Sequence, residues 1–185
     1  LFPYTTLFRS VDNMPLFDIE YLFLRLRAKS VGEEITLGLK PWGCPQNGGE
    51  LCNLSTEVAI NLEDVKVIKD KKHTSKIMLD DKIGIMMTYP NISQVGMKGS
   101  ESEMGMNIIK SCIKMIFTEE ETYESDSFAD KELDEFIDSL NTKQMEKIRD
   151  FFNSMPTLKH TVKYKCKTCN EEKETTVQGL NSFFS

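Results

Sequence analysis

The chain has 185 residues, with 23 Lys and Arg against 29 Asp and Glu and a formal net charge of −6. Hydrophobic residues make up 39% and charged residues 28%, a globular composition on a chain long enough to bury a sizeable core. The acidic balance excludes broad electrostatic binding to nucleic acid, which needs a basic surface to displace counterions, and no apolar run reaches the roughly 20 residues that span a bilayer.

The N-terminus lacks the basic region and clean apolar stretch of a signal peptide. Five cysteines, an odd number at uneven spacing, fit a reducing cytoplasm better than a disulfide framework. Residues 1–10, LFPYTTLFRS, read as one translated frame of a common sequencing adapter and are set apart from the fold as an assembly scar. Removing them takes away Arg9 and changes the net charge from −6 to −7. The alternative is a real N-terminal strand, since the stretch is aromatic and apolar. Residues 11–185 read as one domain.

Within it, residues 15–33 are expected to be helical. Asp18 is a suitable N-cap, and Ile19, Leu22, Phe23 and Leu26 recur at i, i+3, i+4 and i+7. Tyr21 and Leu24 make the helix apolar on more than one side. Lys29 closes its last turn, and Gly32 ends it. Such breadth predicts a helix packed on two neighbours, or on one neighbour and a partner protein. From 34 to 90 the period changes to two, as in Ile35/Leu37/Leu39 and Val58/Ile60/Leu62. Four or five short strands are predicted there, antiparallel because their connections are short.

Residues 100–155 read as helical. Ser100 and Glu103 form a capping-box pattern ahead of an apolar run through Ile116, the acidic stretch Glu119–Asp130 reads as a solvated connection, and Leu133–Leu140 form a short helix. Asn141 with Gln144 then starts another, which Pro156 stops. Residues 158–185 form a C-terminal hairpin around Cys166 and Cys169. The fold class is therefore α+β: short antiparallel strands, an N-terminal helix, a central helical segment and a cysteine-containing hairpin. Strand, cysteine pair, strand occurs twice, around Cys44/Cys52 and around Cys166/Cys169.

Those four cysteines carry the metal reading. Cys166-x2-Cys169 on a tight turn offers two thiolates to one tetrahedral zinc, and Asn170 tolerates the left-handed backbone such a knuckle needs. Cys44 and Cys52 are separated by seven intervening residues, wider than usual zinc spacing, in a glycine-rich loop that can fold back. One structural zinc and four reduced cysteines remain the two readings. Cys112 falls on an apolar helix face and reads as a small core residue. No small-molecule substrate is suggested: the two histidines, His73 and His160, read as surface or strand-edge residues, and no phosphate loop, H-E-x-x-H or G-x-S-x-G motif occurs. Ten methionines read as core filler, with a Met-rich interface as the alternative.

The segment from Leu16 to Glu33 resembles the opening of the baseplate hub assembly proteins of T-even-like contractile-tailed bacteriophages. Residues 60–65, 83–90, 151–156 (FFNSMP), 162–169 (VKYKCKTC) and 179–184 (GLNSFF) are also similar to that family. The resemblance covers about 15–185, with Asn170 where members tend to have Gly. It implies a non-enzymatic accessory protein, a hub subunit or assembly catalyst, that acts on phage baseplate hub proteins in the cytoplasm of the infected host or in the virion tail. The apolar breadth of the first helix makes Phe23, Leu26 and Arg27 the candidate partner contacts. The alternative function is a zinc-ribbon adaptor bridging regulatory proteins.

Overall fold

A computed structural model describes residues 11–39, 55–95, 100–167 and 169–184. The described elements, in chain order, are α1 (Leu16–Val31), β1 (Glu34–Leu39), β2 (Thr56–Asn61), β3 (Lys66–Ile68), β4 (Lys76–Met78), β5 (Gly84–Met87), α2 (Ile92–Val95), α3 (Glu101–Cys112), β6 (Ile113–Phe117), β7 (Thr122–Glu124), α4 (Asp130–Asp138), α5 (Thr142–Ser154), β8 (Thr157–Lys165) and β9 (Glu172–Gln178), with 3-10 turns at Ser125–Ser127 and Leu180–Phe183. Helices and antiparallel sheets are both present, so the fold is α+β, with the expected N-terminal helix. No described helix is long and apolar enough to cross a membrane.

The chain packs around two hydrophobic cores and divides into two compact units. One takes the chain up to Leu16 together with Lys69–Met155; the other takes Phe17–Ile68 and Pro156–Ser185.

In the first unit, the antiparallel sheet β4-β5-β6-β7 packs Ile77, Ile85, Met87, Ile113 and Ile116 with Leu133 and Ile137 of α4 and Ile148 and Phe151 of α5. Its turns are closed by short polar side chains. Asp80 Oδ1 accepts the Lys82 and Ile83 N–H groups, which holds its carboxyl below the usual range. Thr118 Oγ1 accepts from Glu120 and Glu121. The outer strand β4 is covered at its end, where Lys147 Nζ donates to the Met78 and Leu79 carbonyls at 2.7 and 3.0 Å. Ser100 with Glu103 and Asn141 with Gln144 form the capping boxes expected of α3 and α5. α5 ends at Ser154, and Pro156 follows.

The reading of 100–155 as helical needs correction over 113–124. The helix stops at Cys112 and the chain passes directly into β6, which pairs with β5, while part of the acidic connection forms β7. Ile109, Cys112, Ile113 and Ile116 fit a helical period, but Thr88 takes the Cys112 carbonyl with both its N–H (2.7 Å) and its hydroxyl (3.2 Å). That carbonyl is thereby fixed against the end of β5, and the β-branched isoleucines beyond it are at home in a sheet. Cys112 is fully buried, as expected, and burial pushes its thiol up to about 11.

The second unit joins the β1-β2 hairpin, the β3-β8-β9 sheet and α1. Leu24, Ala28, Leu37, Ile60, Leu62, Val65, Leu158, Val162, Val177 and Phe183 form its core. Both cysteine-associated strand pairs seen as an internal echo are antiparallel hairpins of this unit.

Gly84 opens β5 with the Phe117 ring and the Met78 sulfur lying where a Cβ would stand. The Phe117 ring is also held by Lys76 Nζ, 4.6 Å above its centroid. Gly84→Ala should therefore cost about 1–3 kcal/mol, measured as a lower urea midpoint with unchanged slope.

Candidate partner-binding surface

α1 turns one side inward and leaves the other bare. Leu24 and Ala28 enter the core, and Tyr21 packs beside them. On the opposite side Leu22, Phe23 and Leu26 are 42%, 51% and 60% exposed. These are members of the i, i+3, i+4, i+7 set, so the most regular apolar stripe of the helix is the one the fold leaves uncovered. The described C-terminus extends the ridge: Phe184, 45% exposed, meets Phe23 edge to face at 6.1 Å between centroids.

Polar groups along the helix fix its position. Arg25 donates to the Tyr21 hydroxyl at 2.7 Å and to the Glu63 carbonyl at 3.0 Å. Lys29 bridges Glu33 and Glu63 at 3.2 and 2.8 Å, which raises its pKa and lowers that of Glu63. These pairs lie in water and contribute orientation more than stability. Arg27, named with Phe23 and Leu26 as a partner contact, donates to the Gly32 carbonyl at 3.2 Å and so holds the turn that ends its own helix. Gly32 has φ +140°, a backbone that suits glycine. Glu20 is partly buried near Leu180, and desolvation pushes its carboxyl up.

The cysteine turn joins β8 to β9. Cys166 is buried and Cys169 packs against it, half-buried. Asn170 adopts φ +57°, its N–H donates to the Cys166 carbonyl, and the Cys166 N–H donates to Glu171 O, both at 2.9 Å. This is the tight left-handed turn expected from the sequence. The Lys167 N–H reaches Thr56 Oγ1 at 3.4 Å, so the start of β2 lies beside the turn. Cys44 and Cys52 lie outside the described residues. Among the described residues, no three His, Cys, Asp or Glu side chains converge as a metal set.

His73 departs from its expected surface position. It is 8% exposed, with Nδ1 2.9 Å from Ser154 Oγ and Nε2 3.0 Å from the Tyr89 hydroxyl. Its neighbours in sequence, Lys71, Lys72 and Thr74, are exposed, so local polarity concealed a buried ring. Of the methionines, Met87 is buried and Met106 and Met145 pack on the first core, whereas Met78 is exposed.

A family model described as T4 bacteriophage base plate protein matches residues 5–185. The chain belongs to that family. The matched span of this baseplate protein takes in both units and begins inside the ten residues set apart as adapter-derived. No curated protein and no solved structure is significantly similar to it. Membership carries a structural or assembly role in the phage baseplate, with other baseplate proteins as partners.

The two sides of α1 should respond differently to truncation. Leu24→Ala is expected to cost about 2–5 kcal/mol through the cavity it leaves, and Leu26→Ala to stay within about 0.5 kcal/mol. Urea denaturation of the two variants measures the difference.

Proposed function

We propose that this baseplate-family protein is a non-enzymatic accessory in assembly of the central hub, acting through protein–protein contacts made by the exposed ridge of α1. The observation that carries the reading is the bare Leu22–Phe23–Leu26 stripe on a helix otherwise fixed by its buried side. An apolar stripe of this kind is stabilised when a partner removes it from water, each fully covered Leu or Phe contributing about 1.5–3 kcal/mol before the costs of association. Helix-in-groove recognition uses i, i+3, i+4 and i+7 anchors, and Leu26 stands four residues from Leu22 and three from Phe23. Arg27, engaged with the Gly32 carbonyl, serves by stiffening the C-terminal turn that presents the ridge.

The test is co-expression of the full chain with the hub proteins of the same phage, followed by native mass spectrometry. A complex whose mass includes this chain is expected, and Leu26→Asp, folded by circular dichroism, should weaken it at least tenfold. Unchanged binding by Leu26→Asp, or loss of folding in place of loss of binding, contradicts the reading.

A second reading, a zinc-ribbon adaptor, draws support from the Asn170 turn, which presents Cys166 and Cys169 on one knuckle. It needs Cys44 and Cys52 as the remaining ligands. In that reading the purified chain carries one zinc per molecule, chelation lowers Tm, and Cys169→Ser removes the metal. Metal analysis showing no zinc in freshly purified protein rules it out.

A further inference from the structure

The chain passes between its two units at Ile68–Lys69 and again at Met155–Pro156, and the strands on one side of these crossings are partners, Ile68 opposite Thr157. Just inside the first unit, the incoming and outgoing segments are tied to each other by one side chain. His73, five residues beyond Ile68, has Nδ1 2.9 Å from Ser154 Oγ, the last residue of α5. The Ser154 hydroxyl also lies 2.6 Å from the Asp150 carbonyl and 3.3 Å from that of Phe151. Its proton is therefore committed to the helix, and it accepts from Nδ1–H. That fixes the tautomer and leaves Nε2 to accept the Tyr89 O–H at 3.0 Å. The imidazole packs against two rings, stacked on Tyr89 at 5.5 Å and tilted on Phe151 at 4.9 Å, and those two rings stack on each other at 5.8 Å.

We propose that His73 is a pH-sensitive clasp, which in its neutral Nδ1–H form fastens the segment entering the unit to the end of the helix leaving it, and which loosens when the ring is protonated. A second proton would sit on Nε2 facing the Tyr89 oxygen, so Tyr89 would have to turn from donor to acceptor inside a desolvated pocket. The ring meets Ser154 and Phe151 from α5 and the Tyr89 phenol from beyond β5; burial raises the pKa of that phenol, which stays neutral. Desolvation opposes protonation of the ring most strongly, Lys69 opposes it as well and Asp70 favours it, leaving the pKa lowered. The sign follows: a histidine that titrates lower when clasped than when released holds fully above the free value of about 6.5 and weakens as pH falls through the interval below it.

Hydrogen exchange of the full chain at pH 7.5 and 5.5, corrected for intrinsic rates, tests this over 69–75 and 150–155. Protection in both segments is expected to fall several-fold together, up to about tenfold per pH unit below 6.5. His73→Phe should keep the stack and lose the pH response, and Ser154→Ala should lower protection already at pH 7.5. Equal protection at the two pH values in the unaltered chain overturns the proposal, as does the same fall in His73→Phe. If His73→Phe does not fold, the ring's own NMR titration decides: a midpoint below 6.5 supports the clasp, and one at or above it overturns it.

Discussion

The second unit depends on one long-range event, the meeting of Lys66–Ile68 with Thr157–Lys159 across the whole of Lys69–Met155. Val67 lies opposite Leu158, and Leu158 is fully buried among Leu24, Leu37, Ile60, Leu62 and Val65 from the N-terminal part of the chain. Neither half can bury these residues alone. The β1-β2 hairpin is only a two-stranded sheet, too small to be stable by itself, and α1 has one buried side that needs the strands. Closing so long a loop costs entropy before any contact rewards it. The first unit's sheet is built differently: β4, β5, β6 and β7 each pair with the next strand in sequence.

This closure gives α1 its sidedness. Packing against β8 and β9 takes Leu24 and Ala28 inward, and the arc that remains outward carries larger apolar side chains than the arc that is buried. Arg25 and Lys29, both reaching the Glu63 segment, hold the rotation of the helix about its axis. The same contacts that complete the core therefore present Leu22, Phe23 and Leu26 to solvent as a fixed surface. A fixed surface binds with less ordering cost than a mobile one, which suits a protein of the baseplate family whose partners are other baseplate proteins.

Much of this was legible in the residues because it is decided locally. Ser100/Glu103, Asn141/Gln144, Pro156 and Asn170 each act within a few positions of themselves, and each does what its chemistry dictates. The strand pairs β1-β2 and β8-β9 follow from alternation. Other features lay beyond local pattern. The end of α3 at Cys112 is set by Thr88, far away in sequence, and nothing in the apolar spacing of 109–116 signals it. The burial of His73 is set by Tyr89, Phe151 and Ser154, all supplied by other elements. At the candidate surface, breadth of apolarity identified α1 and named Phe23 and Leu26, whereas the role of Leu22 and the Phe184 extension required knowing which arc the core takes.

Site-specific photocrosslinking in phage-infected cells tests the central claim, that the outward arc of α1 is the contact with the baseplate. A photoreactive residue is placed at Leu22 or Leu26, with exposed Glu119 of the other unit as the control position, and the adducts are identified by mass spectrometry. The account predicts covalent adducts with an identified baseplate hub protein from both α1 positions and far fewer from 119. Adducts from 119 alone, or hub adducts equal at all three positions, would contradict it.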